Sequence, residues 1–152
     1  MFFNAINPSE VCPGDHLYRY RWLGIQQGIA VRFPKLSSIF VITPYNNTLS
    51  LVTLNEFKGS ASLRRITYKK NASFYSKIKF AYSRPPDEIV QNAFLLLDWI
   101  KKSPERVRAL FSNDLSQFAQ KCCTTVHEQW RNLFHSTHEQ ITSNTHVNNG
   151  IE

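Results

Sequence analysis

Cysteine is scarce in this chain. Three occur, an odd number, and Cys122 and Cys123 are adjacent, so a framework of paired disulfides is not expected. Thiols left reduced suit the cytoplasm. Long hydrophobic runs are missing too: the longest, around Ala93 to Leu97, falls far short of the roughly 20 residues that cross a bilayer. Met1-Phe2-Phe3 is apolar but lacks the basic leader and long apolar core of a signal peptide. A soluble protein without a transmembrane segment is therefore expected. Acidic residues are also few: 11 Asp and Glu against 18 Lys and Arg give a net charge of +7. That excess favours an anionic partner such as RNA or a lipid surface, and it is equally compatible with a merely basic soluble domain. Internal repeats and low-complexity segments are absent, no cofactor motif occurs, and nothing in the sequence sets an oligomeric state.

What is present is enough for one folded domain. The chain has 152 residues, 42% of them hydrophobic and 13% aromatic, which supports a real core. The organising stretch runs from Pro13 to Val31 and reads as a turn, a strand, a Leu23-Gly24 bend and a second strand. Pro13-Gly14 is turn chemistry, and Asp15 can bond its own backbone two residues on. Leu17, Arg19 and Arg21 share one side of the first strand, with His16, Tyr18, Tyr20 and Trp22 on the other. Gly28 marks a close approach or a bulge in the second strand, Ile25 to Phe33.

The remaining elements follow in order. Residues 1–12 read as a loose lead-in, 13–135 as a single domain and 136–152 as a flexible polar tail. Ser38 to Tyr45 is a β-branched and aromatic strand stopped by Pro44. Asn46-Asn47 forms a hairpin turn, and Leu49 to Thr53 returns. Thr53, Glu56 and Gly59 bracket a single helical turn. Leu63 to Lys70 is another strand, and Phe74 to Tyr82 reads as one more. Pro85-Pro86-Asp87-Glu88 opens a helix whose Ile89, Ala93, Leu96, Leu97 and Ile100 share a face. Ser103-Pro104 starts a shorter helix through Val107, Leu110 and Phe111. Ser112 or Asn113 then caps a last helix, with Leu115, Phe118, Ala119, Cys122, Val126, Trp130 and Leu133 along one stripe.

Several of these phrases resemble one family. Gly14-Asp15-His16, an aliphatic-Tyr pair at Leu17-Tyr18, and Gly24-Ile25 leading into the second strand are similar to the opening of the lecithin:retinol acyltransferase-like proteins. Thr53-Leu54-Asn55-Glu56-Phe57-Lys58-Gly59 and the Pro-Pro-acid-acid helix opening resemble that family as well, so the likeness spans residues 11–125. The family includes small phospholipase/acyltransferases and the H-box/NC type of picornavirus 2A proteins. The resemblance implies an α+β, permuted papain-like fold in which an antiparallel sheet packs against helices. It also implies thiol chemistry in active members, from a base histidine, an orienting histidine and a cysteine at a helix N-terminus. The matching positions here are Gln26, Thr43 and Leu115. A leucine cannot attack a carbonyl, and a glutamine amide takes no proton near neutral pH. With the triad replaced and no membrane anchor at either end, the chain most resembles the picornavirus 2A type. That resemblance implies a non-catalytic viral protein in the host cytoplasm, with RNA or host proteins as partners.

Other chemistry-bearing residues have plainer readings. Cys122, Cys123 and His127 place a thiol and an imidazole at i and i+4, but no second ligand pair has metal spacing, so no metal is expected. His16 reads as a hydrogen-bonded scaffold residue, Ser116 as an ordinary first-turn residue, and His127, His135 and His138 as solvated side chains. Arg64, Arg65, Lys69, Lys70, Lys77 and Lys79 fall within sixteen residues, interleaved with Tyr68, Phe74, Tyr75 and Phe80. Cations beside flat rings suit a single-stranded RNA surface, and alternation along a half-buried hairpin produces the same pattern. Arg19, Arg21, Arg32 and Lys35 extend the patch if the first strands lie nearby. Two alternatives to RNA binding stand beside it. One is a thiol acyltransferase or phospholipase using Cys12, Cys122 or Cys123. The other is a host-protein interaction domain built on the last helix and Trp130.

Overall fold

The structure, a computed structural model, describes residues 2–68 and 83–135. Among these residues the strands are β1 (Phe2–Ala5), β2 (His16–Arg21), β3 (Gly24–Arg32), β4 (Ile39–Tyr45), β5 (Thr48–Thr53) and β6 (Arg64–Thr67). They form one antiparallel sheet in the order β1-β6-β2-β3-β4-β5. The helices are α1 (Leu54–Lys58), α2 (Pro86–Lys102), α3 (Pro104–Leu110), α4 (Phe118–Thr124) and α5 (127–135). The architecture is α+β. None of the described helices is long and apolar enough to cross a membrane. The expected strand from Phe74 to Tyr82 and the tail at 136–152 lie outside the described residues.

Strand β3 explains the layering. Ile29, Ala30 and Val31 are successive and all fully buried, so apolar side chains leave this strand on both faces and both must be covered. On one face Ile29, Val31 and Ile42 pack against Ile89, Ala93, Leu96, Leu97 and Ile100 of α2, with Val107 and Phe118 beside them. On the other, Leu17, Ala30 and Val41 lie under Phe57 of α1, with Val11 and Leu63 completing the cluster. Each such aliphatic side chain contributes about 1.5–3 kcal/mol when fully buried. The periodic face expected for α2 is thus its core face, and the acids in its first turn and Lys101 and Lys102 in its last complement the helix dipole.

Local signals at the hairpins and caps act as expected. Asn46 and Asn47, at φ 49° and 59°, both adopt the left-handed conformation of a tight hairpin turn. The Thr53 hydroxyl accepts the Glu56 N–H at 3.1 Å, and Gly59 closes α1. A Cβ on Gly28 would lie 2.5 Å from Val41 Cγ1 and 2.8 Å from Ile42 O, so this is a true close approach of β3 to β4.

Five local expectations are corrected. The lead-in over residues 1–12 is not loose: Phe2–Ala5 pairs with β6, and the Ile6 N–H continues to Leu63 O at 3.1 Å. Pairing with a distant strand supplies the order that composition alone does not show. Pro44 lies within β4 rather than ending it, because the β3 ladder stops at Ile42 and β4 continues with β5 alone, Pro44 opposite Leu49. Asp15 reaches back rather than forward, accepting the Cys12 N–H at 2.8 Å. Ser112 and Asn113, at φ 52° and 62°, end α3; Asp114 caps the next turn. Finally, the last helix is not continuous.

That break is held by α2. A 3-10 turn, Leu115–Gln117, leads into α4, which stops at Thr124, and α5 resumes at residue 127. Asn92, fully buried on α2, donates through Nδ2 to Cys122 O at 2.9 Å and Thr125 O at 2.8 Å. Its Oδ1 accepts from His127 Nδ1 at 2.8 Å, while Glu88 Oε1 accepts the His127 N–H at 2.8 Å. Burial opposes the Glu88 charge, but the bonds from His127 and Arg84 outweigh it and hold its pKa below the ordinary carboxylate value. The orphaned groups at the end of α4 and the start of α5 are therefore satisfied from a helix thirty or more residues away. Asn92→Ala leaves a buried and a half-buried carbonyl and an imidazole N–H without these partners. It is expected to cost about 2–4 kcal/mol, read from the urea midpoint at unchanged slope.

Candidate functional site

Strands β3 and β4 pair from Arg32↔Ile39 to Ile29↔Ile42, where the backbone ladder ends in a fork. Side chains bridge the fork. Thr43, 1% exposed, donates its hydroxyl to Gln27 O at 2.8 Å. Gln26 Nε2 donates to the Thr43 oxygen at 3.2 Å, and Gln26 Oε1 accepts from Arg19 Nε at 3.2 Å. Arg19 also donates to Lys58 O at 3.1 Å, tying β2 to the end of α1. Burial first, and the neighbouring Arg21 charge second, draw the Arg19 pKa down, yet a guanidinium remains a cation. Both ends of the Gln26 amide are thus engaged.

A cleft of about 370 Å³ lies past the end of that ladder. Gln26 and Gln27 form one wall with Ile25, Pro44 and Asn46 lie beside them, and Leu115 and Ser116 close it from the 3-10 turn. Two of the positions that the resemblance singled out, Gln26 and Leu115, therefore border the same cleft, and the third, Thr43, is hydrogen-bonded to Gln26. Leu115 is 4% exposed and belongs to the helix-side core. Asp114 caps its turn by accepting the Ser116 N–H at 3.0 Å, which lowers the Asp114 pKa. Ser116 is an ordinary turn residue, as read from the sequence. Gln26 offers no base near neutral pH, Leu115 no nucleophile, and the Thr43 proton points at a carbonyl. Arg21, Asn46, Asn47 and Asn113 on the rim can hydrogen-bond a small polar or anionic group.

A second polar array lies behind the fork. His16, 3% exposed, donates through Nε2 to Gln27 Oε1 at 2.7 Å. Its Nδ1 accepts from the Tyr68 hydroxyl at 2.9 Å, and the two rings stack at 18° with centroids 6.0 Å apart. The Gln27 acceptor places the proton on Nε2, and burial keeps the ring neutral, which leaves Nδ1 to accept from Tyr68. Burial lowers the His16 pKa to about 4 against the opposing Gln27 bond. Tyr68 in turn meets the Cys123 thiol, and burial raises the Tyr68 pKa. The Cys123 thiol is pushed up to about 12, chiefly by burial. Cys122 is wholly buried and raised as well. His16 is the scaffold histidine expected. Nothing in the sequence marks Tyr68 as its partner, because only the register of β6 against β2, Ile66 opposite His16, brings that ring near.

The remaining candidates are spread out. Arg65 pairs with Asp15 at 3.2 Å on one face of β6, and Arg64 sits over the Tyr20 ring at 5.3 Å on the other. Arg21, Arg32 and Lys35 are exposed, whereas Lys69, Lys70, Lys77 and Lys79 lie outside the described residues. His127 is committed to Asn92 rather than solvated, Cys12 is an exposed thiol, and Trp130 is buried. Among the described residues, no three His, Cys, Asp or Glu side chains gather as a metal site would require.

His16 gives the fold a pH dependence of definite sign. The unfolded imidazole takes its proton near 6.5 and the folded one near 4, so between those values the unfolded chain binds the extra proton. The contribution is complete above about pH 6.5, falls as the pH drops, and levels off below about 4, a loss of about 3 kcal/mol. Urea titrations at several pH values are expected to show this extra acid-side loss in the wild type relative to His16→Gln. No family model, no curated protein and no solved structure matches the chain.

Proposed function

We propose that the chain is a non-catalytic protein on the permuted papain-like scaffold of the lecithin:retinol acyltransferase-like family, of the picornavirus 2A type, binding RNA and host factors in the host cytoplasm. The observation that carries the reading is the cleft at the β3–β4 fork. The positions expected to hold base and nucleophile border it as Gln26 and Leu115, with Thr43 hydrogen-bonded to Gln26. Their chemistry is positional: the Arg19–Gln26–Thr43 chain staples the sheet, and Leu115 fills core volume.

RNA is the partner favoured by the charge of +7 and by cations set beside rings, as Arg64 is over Tyr20. The thiol acyltransferase alternative needs an accessible, acidified cysteine, and burial raises the pKa of both Cys122 and Cys123. The test is anisotropy of labelled single- and double-stranded RNA from low to physiological salt. The wild type is set against a variant carrying Arg64→Glu, Lys69→Glu and Lys70→Glu. Arg65 is left intact because it holds Asp15. Affinity is expected to fall linearly with log salt and by at least about tenfold in the variant. Absence of binding at low salt removes RNA and leaves a protein partner for the same scaffold.

A further inference from the structure

The β2–β3 hairpin ends in Arg21-Trp22-Leu23-Gly24, where turns ordinarily carry small polar residues. Arg21 and Gly24 are its last paired residues, and Gly24, at φ +113°, turns the chain so that Trp22 and Leu23 form the apex. Trp22 is 97% exposed and Leu23 90%. One step down, Tyr20 and Ile25 face each other across the strands, 56% and 54% exposed. Four large apolar side chains therefore crowd one protruding tip. Cations ring it. Arg21 is exposed beside the apex, Arg64 lies over the Tyr20 ring, and Arg19 shares a shallow hollow with Tyr20, Arg21, Trp22 and Leu23. Asp114 is the acid that lines the neighbouring cleft with Leu23.

We propose that this tip docks the protein on a membrane surface rich in anionic lipid headgroups. Trp22 and Leu23 enter the interface, Tyr20 and Ile25 follow at its edge, and Arg21 and Arg64 meet lipid phosphates. Tryptophan is favoured at the headgroup boundary, and cations near an anionic leaflet add affinity that salt weakens. A protruding tip needs no complementary pocket when the surface is fluid, as a bilayer interface is. Leu23 and Ile25 have no π face on which a base could stack, so lipid accounts for them where RNA does not.

Vesicle co-sedimentation tests this, using phosphatidylcholine alone and phosphatidylcholine mixed with phosphatidylserine. The variant is Trp22→Ser with Leu23→Ser; both sites are exposed, and an unchanged melting curve confirms folding. The wild type is expected to partition onto the serine-lipid vesicles at least about tenfold better than onto phosphatidylcholine alone and better than the variant does, and less well as salt rises. Its tryptophan emission is expected to shift to the blue on binding. That shift reports Trp22, since Trp130 is buried and Trp99 stacks on Phe134. Failure to partition at low salt overturns the proposal. So does equal partition by the variant, which reduces the contact to surface charge. Wild-type dimers that the variant abolishes, without vesicle binding, overturn it in favour of a second copy.

Discussion

The double-sided burial of β3 is the constraint on which the rest of the structure depends. With Ile29, Ala30 and Val31 all sealed from water, helices must cover one face of the sheet, and α1 with the N-terminal segment must cover the other. The ladder of the same strand with β4 ends at Ile29, and one residue past that end, at Gly28, the two strands lie so close that no side chain fits. The cleft follows from that ending. The hydroxyl of Thr43 and the amide of Gln26 bridge the two strands where backbone pairing no longer does.

Structure was legible where the signal was local. The stripe of α2, the Asn46-Asn47 hairpin and the Thr53 cap depend on neighbours a few residues away, and each is where its residue types put it. What was not legible depends on partners distant in sequence. The seven apolar positions from Leu115 to Leu133 read as one helix, and nothing near Thr125 announces a break. Asn92 makes it, by accommodating carbonyls that a continuous helix would have used internally. Strand β1 was hidden for the same reason, since its order comes from β6.

The candidate site divides along the same line. The resemblance pointed to Gln26, Thr43 and Leu115; Gln26 and Leu115 line one cleft and Thr43 is hydrogen-bonded to Gln26, whereas the part played by Arg19 could not be read from spacing because it arises from side-chain reach across β2 and β3. Likewise Arg64 and Arg65 are adjacent in sequence yet leave opposite faces of β6, so a cluster of cations in the chain is not one cluster in space. The buried His16–Tyr68–Cys123 array is held neutral by its surroundings, a scaffold device rather than a charged site.

Under the function proposed above, the fork cleft keeps the place of a thiol active site without its chemistry. The most direct measurement is intact-protein mass after incubation with phosphatidylcholine, with lysolipid release followed in parallel. The account predicts an unmodified mass and no release above buffer. An acyl adduct on a cysteine that disappears with Cys12→Ser, Cys122→Ser or Cys123→Ser, accompanied by lysolipid, would contradict it.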